Sequence, residues 1–241
     1  MSETTLALVG ATGGAGTTRT AVELAAIGAI DGRDVVVIDA AYATQGLSEY
    51  VSGRIDPDVT TLVTEGRTDD PGPASYAVDG DWDGTVRLVP ASAPFERIAR
   101  AKRVDAAEGL ASLIEAAGEA ADHVVVDTPP VASNQAVAAV TAADRTAAVT
   151  PATVHGRDAL ERLRGRVQDV GERVAATVAT RGSLPAADVG LPTAESEPVT
   201  QPTVRPNGGA YDRAIATAFE VCFGTTLAEA GEGAGVLNRF R

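Results

Sequence analysis

Short, uninterrupted apolar runs alternate along the chain with longer segments in which apolar residues return every three or four positions. The runs are typical of strands buried on both faces, and the longer segments are typical of amphipathic helices. Their alternation predicts a mainly parallel sheet whose strands are joined by crossover helices. The predicted strands are 4–9, 35–38, 86–89, 124–126, 146–149 and 174–178, and the predicted helices are 17–30, 106–121, 157–170 and 210–223.

Two segments interrupt this pattern. Residues 69–83 are rich in Asp, Gly and Pro, which predicts an exposed loop. Residues 182–209 contain five prolines, and we expect an irregular proline-rich segment there because proline disrupts helical hydrogen bonding. A closing helix is expected at 210–224. The length suits one α/β domain, so we expect a single domain over residues 1–241: a doubly wound, mostly parallel sheet flanked by helices on both faces.

The charge balance changes the expected environment of the protein. The net charge is −13, and Lys102 is the only lysine, so arginine supplies nearly all of the positive charge. At about 1 M salt the Debye length falls to about 3 Å, which relieves the repulsion among so many carboxylates. We infer a protein from a salt-accumulating halophile. The same charge argues against general nucleic-acid binding, because no basic face is available to contact phosphates.

Other parts of the chain point to a location and to structural roles. No apolar run reaches the roughly 18–20 residues that span a bilayer, and the N-terminus lacks the pattern of a signal peptide, so we expect a cytoplasmic protein. The tail at 235–241 is too short to bind a membrane strongly, and membrane association is not expected. Cys222 is expected to be buried, and His123 and His155 are expected at the surface rather than at a metal site.

A glycine-rich loop follows the first predicted strand. Residues 10–18 read GATGGAGTT, and a helix is predicted to start at once. Glycines permit a tight turn, and they let backbone N–H groups close on an anion at the helix N-terminus. The arrangement predicts a phosphate site, and the alternative is a tight turn that binds nothing.

Two families share features of this loop. It resembles the fingerprint of dinucleotide-binding Rossmann reductases, for which Asp39 would hold the ribose of an NAD(P) cofactor. It also resembles the deviant Walker A loop of ParA/MinD proteins, Lys-Gly-Gly-x-Gly-Lys-Thr-Thr, aligned with residues 12–19, which read TGGAGTTR. The loop by itself leaves both alternatives open.

Later segments favour the ParA/MinD resemblance. Residues 35–41, VVVIDAA, resemble that family's second motif, with Asp39 as its first acid and Ala41 in place of its second. Residues 123–130, HVVVDTPP, resemble its Walker B and switch segment. A reductase would need a tyrosine four residues before Lys102, where Ile98 stands. A polysaccharide-type tyrosine kinase shares Asp-Thr-Pro-Pro but would carry a tyrosine-rich tail. The ParA/MinD resemblance covers about residues 4–180 and the closing helix.

The resemblance implies ATP and Mg²⁺ as cofactors within a P-loop NTPase-like fold. The implied nucleotide-binding residues are Gly13, Gly14, Ala15, Gly16, Thr17, Thr18 and Arg19, and the implied Mg²⁺ ligands are Thr18, Asp39 and Asp127. For Arg19 two interpretations are open, a cation near the α-phosphate or a solvated residue of the first helical turn.

Three departures from the family pattern affect the expected activity. Thr12 and Thr17 stand where the family has lysines, and Ala41 replaces the acid that orients the attacking water. A lysine–phosphate pair near 4 Å is worth on the order of 4 kcal/mol at an effective dielectric of about 20, so its loss weakens binding by about two to three orders of magnitude. We expect negligible hydrolysis, and we assign no catalytic residue.

The resemblance therefore implies a pseudo-ATPase or a weak ATP-binding switch. Such a protein would act as a scaffold or regulator in partitioning or positioning within the cell, as a homodimer, as a heterodimer with a family relative, or with another protein partner. The alternatives are an active, nucleotide-dependent dimerising ATPase of the same family, a vestigial site that holds no cofactor, and an NAD(P)-binding reductase.

Overall fold

The computed structural model describes residues 5–194 and 200–228, which form a sheet with helices on both sides. The strands are Thr5–Gly10 (β1), Asp34–Asp39 (β2), Tyr76–Val78 (β3), Thr85–Val89 (β4), His123–Thr128 (β5), Arg145–Pro151 (β6), Val174–Thr180 (β7) and Val189–Gly190 (β8). The helices are Thr17–Ile30 (α1), Val59–Glu65 (α2), Phe95–Ala101 (α3), Val104–Ala120 (α4), Asn134–Ala142 (α5), Val154–Asp169 (α6) and Ala210–Phe223 (α7).

The strand order in the sheet is β3-β4-β2-β5-β1-β6-β7-β8. Every neighbouring pair is parallel except β3 with β4. The carboxyl ends of the parallel strands therefore lie along one edge of the sheet, which is where open α/β sheets bind ligands. The doubly wound, mostly parallel architecture predicted from the sequence is confirmed.

Alternation along the central strand divides the core into two faces. In β1, Leu6 and Leu8 pack with the cluster that contains α1 and α7, whereas Ala7 and Val9 pack with α5 and α6 on the other side. Helices α2, α3 and α4 cover that second face toward β2 and β4. All six residues of β1 are buried, as expected for a central strand of a parallel sheet. Cys222 in α7 is fully buried, which confirms the expectation for it.

Three helices and two strands, β3 and β8, were not recognised in the sequence pattern. Strand β8 has only two residues and lies within 182–209, for which the sequence predicts irregular structure. Helices α2 and α3 have seven residues each, and α5 has nine. Each helix therefore has too few turns for a helical period to be detected in the sequence. The prediction of an exposed loop over residues 69–83 is wrong for Tyr76–Val78, which form β3 and pair antiparallel with β4. The phenol of Tyr76 accepts from Asp56 N at 2.6 Å and donates to Pro57 O at 2.7 Å, and these long-range contacts fix the edge strand.

The surface position expected for His123 is wrong. Its side chain is only 5% exposed and lies 5.2 and 4.4 Å, centroid to centroid, from the rings of Phe219 and Phe223 of α7. Arg33 Nη1 lies 2.7 Å from its Nε2, and because a guanidinium can only donate, Nε2 accepts. Burial, followed by the charge of Arg33, lowers the pKa of His123 to about 4. His155, by contrast, is exposed.

Within residues 5–194 and 200–228, no helix is both long enough and apolar enough to cross a bilayer. The tail at 235–241, for which membrane association is not expected, lies outside the described residues.

Helix α1 packs closely against β2 and α7 at Gly28. A Cβ added at Gly28 would lie 2.9 Å from both Phe219 Cε2 and Val35 Cγ2. We expect Gly28→Ala to lower the free energy of unfolding by about 1–3 kcal/mol, because overpacking forces side chains off their rotamers. The matched control is Gly165→Ala in α6, where a Cβ meets nothing within 4 Å and where helix propensity should give a gain of up to about 1 kcal/mol. Urea unfolding of both variants measures the difference, and equal shifts would contradict this account of the packing.

The burial of His123 predicts a component of acid sensitivity. Its folded pKa of about 4 lies below the unfolded value of 6.5, so its stabilising contribution is complete above pH 6.5 and is lost as the pH falls toward 4. The loss should reach about 3 kcal/mol. We expect His123→Gln, which keeps an acceptor for Arg33, to flatten the pH dependence of unfolding in this range. His155→Gln should leave the wild-type profile unchanged. If the free energy of unfolding of His123→Gln changed with pH in parallel with that of the wild type, this histidine would not account for the acid sensitivity.

Candidate phosphate and magnesium site

The glycine-rich loop connects the buried end of β1 to the first turn of α1. Gly14 has φ 71° and Gly16 has φ 88°, in the left-handed region that glycine adopts without steric cost. Gly16 is the N-cap of α1, and its carbonyl accepts from Thr20 N at 2.9 Å. The loop thus brings successive backbone N–H groups and the positive end of the α1 dipole to one place, an arrangement suited to an anion.

Neighbouring strands hold the loop from the side. Ala11 N donates to Val149 O of β6 at 2.8 Å. Thr180 Oγ1, at the end of β7, donates to Ala15 O at 2.7 Å, and Arg181 Nη2 donates to Gly14 O at 2.8 Å. The carbonyls of Gly14 and Ala15 are thereby engaged on the side of β7, and these hydrogen bonds fix the shape of the loop.

Two carboxylates lie beside the loop because the sheet aligns the strands that carry them. Asp39 ends β2 and Asp127 lies near the end of β5, and the two are directly paired in the register of these strands. Asp39 is 0% and Asp127 1% exposed. Thr18 Oγ1 donates to Asp127 Oδ2 at 2.6 Å. The structure therefore brings together Thr18, Asp39 and Asp127, which the sequence assigned to Mg²⁺.

The electrostatics of this pair are unfavourable for two negative charges. Burial, followed by the charge of Asp127, raises the pKa of Asp39 well above its ordinary range. Burial also raises the pKa of Asp127, whereas the hydrogen bond from Thr18 lowers it. Hard oxygen donors that repel one another in a buried site are suited to Mg²⁺, because the cation neutralises their charge. The residues present fit this ion.

Asp39 is also tied to the backbone around it. Its Oδ1 accepts from Ala41 N at 2.8 Å, and its Oδ2 accepts from Ala91 N at 3.4 Å. Ala41, where the ParA/MinD pattern has a second acid, thus contributes a backbone donor but no side-chain charge.

The cations expected near the phosphates are absent from their usual places or engaged elsewhere. Thr12 and Thr17 lie in the loop at the two lysine positions. Lys102 is the C-cap of α3, and its carbonyl accepts from Asn134 Nδ2 at the start of α5 at 3.0 Å. Arg19 forms an ion pair with the buried Glu23 at 3.5 Å and donates to Thr203 Oγ1 at 3.2 Å. Its guanidinium therefore helps to fix the segment before α7.

Sequence reasoning missed two features that shape the site. A Cβ at Gly46 would lie 3.1 Å from Thr18 Oγ1, so the short 3₁₀ turn Gly46–Tyr50 packs directly against the start of α1. Thr180 and Arg181 contact the loop, although the sequence analysis assigned them no role. Their position after a buried strand at the ligand-binding edge was the available signal.

Comparisons with known proteins establish the fold. No protein-family model and no curated protein matches the chain. Among solved structures, septum site-determining protein MinD of Pyrococcus horikoshii, complexed with Mg-ADP, matches with a TM-score of 0.71 at 16% identity, covering 97% of this chain and 98% of its own. Apo McdA of Cyanothece matches with a TM-score of 0.65 at 17% identity, covering 96% and 94%. The MinC:MinD cell division complex of Aquifex aeolicus matches with 0.71 at 20% identity, covering 92% and 96%.

At these identities the likeness concerns the fold, and it extends over nearly the whole of each chain. The protein has the P-loop NTPase-like α/β fold seen in MinD and McdA.

Proposed function

We propose that the chain is a ParA/MinD-like P-loop protein that binds ATP–Mg²⁺ weakly and hydrolyses it negligibly. One observation carries the proposal: a preformed glycine loop lies against Thr18, Asp39 and Asp127, and this loop contains no lysine. The first part provides a place for phosphates and a cation. The second removes the charges that speed phosphoryl transfer.

In this proposal each group has a defined task. The backbone amides of residues 13–19 hold the phosphates, with Gly14 and Gly16 permitting the close approach. Thr18 and the pair Asp39 and Asp127, which Thr18 contacts through its hydrogen bond to Asp127, would hold Mg²⁺. When bound, Mg²⁺ would supply positive charge that compensates these carboxylates and the phosphates.

The strand order argues against the reductase alternative. In dinucleotide-binding Rossmann folds β1 lies next to β2, so that the acid ending β2 reaches the ribose. Here β5 lies between β1 and β2 and places Asp127 between the loop and Asp39. This order suits a P-loop site with a cation, and it separates Asp39 from the loop by one strand.

The cellular role follows from the relatives of this fold. MinD of Pyrococcus horikoshii is a septum site-determining protein, and MinD of Aquifex aeolicus is found in complex with MinC. By analogy we propose a cytoplasmic scaffold or regulator in cell division, partitioning or positioning, which pairs with itself, with a relative, or with another protein. The net charge of −13 supports work in concentrated salt.

Nucleotide binding tests the central statement. In isothermal titration in molar KCl with Mg²⁺, we expect ATP and ADP to bind with a dissociation constant of about 0.1–1 mM, and NADPH not to bind. Asp127→Asn should abolish the Mg²⁺ dependence of ATP binding, whereas Asp81→Asn, the same change in an exposed loop, should not.

Two results would contradict the proposal. Binding of NADPH alone would favour the reductase. Absence of any binding at millimolar nucleotide would make the site vestigial, and a scaffold without a nucleotide would remain.

The loss of hydrolysis is tested by restoring the family's charges. We expect the triple variant T12K/T17K/A41D to bind ATP about a hundredfold more tightly and to release phosphate measurably. The variant T12Q/T17Q/A41N, with side chains of similar size and no added charge, should do neither. A folded charged variant that remains inactive would show that these three positions do not explain the missing activity, and an active wild-type protein would favour the true ATPase alternative.

A further inference from the structure

Arg181 is a cation that the structure places against the glycine loop from outside the loop sequence. It follows the last residue of β7, and its Nη2 donates to Gly14 O at 2.8 Å. Gly14 is one of the residues whose amides we propose to hold phosphate. The guanidinium therefore lies against a residue of the proposed phosphate site, on the side of β7.

The backbone at Arg181 is held in an unusual conformation. Its φ is 59°, in the left-handed region that non-glycine residues seldom occupy. The residues on each side are pinned, since Thr180 O accepts from Ala152 N and Gly182 N donates to Leu191 O, each at 2.9 Å. Such strain is concentrated at functional sites, because the surrounding structure must maintain it. Here it directs an arginine toward the loop rather than along the strand.

The partners of Arg181 leave its charge available. Its side chain is exposed, and among residues 5–194 and 200–228 it forms no ion pair with a carboxylate. Its hydrogen bond goes to a neutral carbonyl, which a phosphate oxygen can replace with a stronger, charge-assisted bond. Arg19, the other arginine near the loop, is in contrast paired with the buried Glu23.

We propose that Arg181 binds the phosphate groups of the nucleotide and supplies the positive charge that the loop lacks at positions 12 and 17. The inference rests on the proposed nucleotide binding and names a residue for it. In the absence of ligand the guanidinium rests on Gly14 O, and on binding it moves to a phosphate oxygen. Arginine suits this task because its planar fork matches phosphate geometry.

The test compares substitutions at the two ends of one strand. Arg181→Gln removes the charge at the loop, and Arg173→Gln removes the same charge just before β7, at the opposite edge of the sheet, where Arg173 is also exposed. Arg181→Lys retains the charge without the fork. The probes are ATP–Mg²⁺ and inorganic tripolyphosphate–Mg²⁺, titrated calorimetrically in molar KCl. Thermal unfolding without ligand controls for a structural role.

We expect Arg181→Gln to lower the affinity for both probes by about tenfold. Arg181→Lys should recover most of this affinity, and Arg173→Gln should leave the affinity for both probes unchanged. The melting temperature without ligand should stay near that of the wild type. If the wild type binds ATP and Arg181→Gln binds both probes as tightly as the wild type does, the role of Arg181 is refuted while the proposed function stands. A loss confined to ATP, with tripolyphosphate unaffected, would refute the assignment to phosphate. If the wild type binds neither probe, both proposals fail.

Discussion

The site depends on two carboxylates that the sheet forces into neighbouring buried positions. The direct pairing of Asp39 with Asp127 follows from the register of β2 and β5, so neither can move away without disturbing the central strands. Repulsion and burial make this arrangement costly for two charged groups, as the raised pKa of each shows. A protein retains such a pair where a cation or proton compensates it. The register of the strands thus supports the proposed cation site independently of the loop.

The loop and the carboxylates form one unit through the first turn of α1. Thr18 hydrogen-bonds to Asp127, and Gly46 packs against Thr18, so the turn after β2, the start of α1 and the end of β5 meet at one residue. On the opposite side, the end of β7 holds Ala15 through Thr180. Elements distant in sequence therefore fix the loop from both sides, and such preorganisation reduces the ordering cost of binding.

The sequence predicted the architecture because buried parallel strands and a first helix that is buried from Thr20 to Ile30 leave simple patterns. The ParA/MinD resemblance also implied that Thr18, Asp39 and Asp127 lie together, and the two acids do so because the ends of parallel strands share one edge. It could not predict β3, whose three residues depend on contacts of Tyr76 with residues some twenty positions earlier. It misplaced His123, because burial there depends on two rings of α7. The direction of Arg181 depends on a left-handed backbone held by β6 and the segment at Leu191, which no local pattern encodes.

The adaptation to salt that we infer from the charge balance accounts for the surface of this protein better than for its site. In molar salt the exposed carboxylates are screened within about 3 Å, whereas the repulsion within a pair that is at most 1% exposed is screened much less. Lysine depletion improves hydration where side chains face solvent, but a lysine on a phosphate acts through its charge on the ligand. An arginine could retain that charge at Thr12 or Thr17, yet neither position has one. The absence of lysine at positions 12 and 17 is therefore not explained by salt adaptation alone, and Arg181, directly after β7, is the cation that we propose in their place.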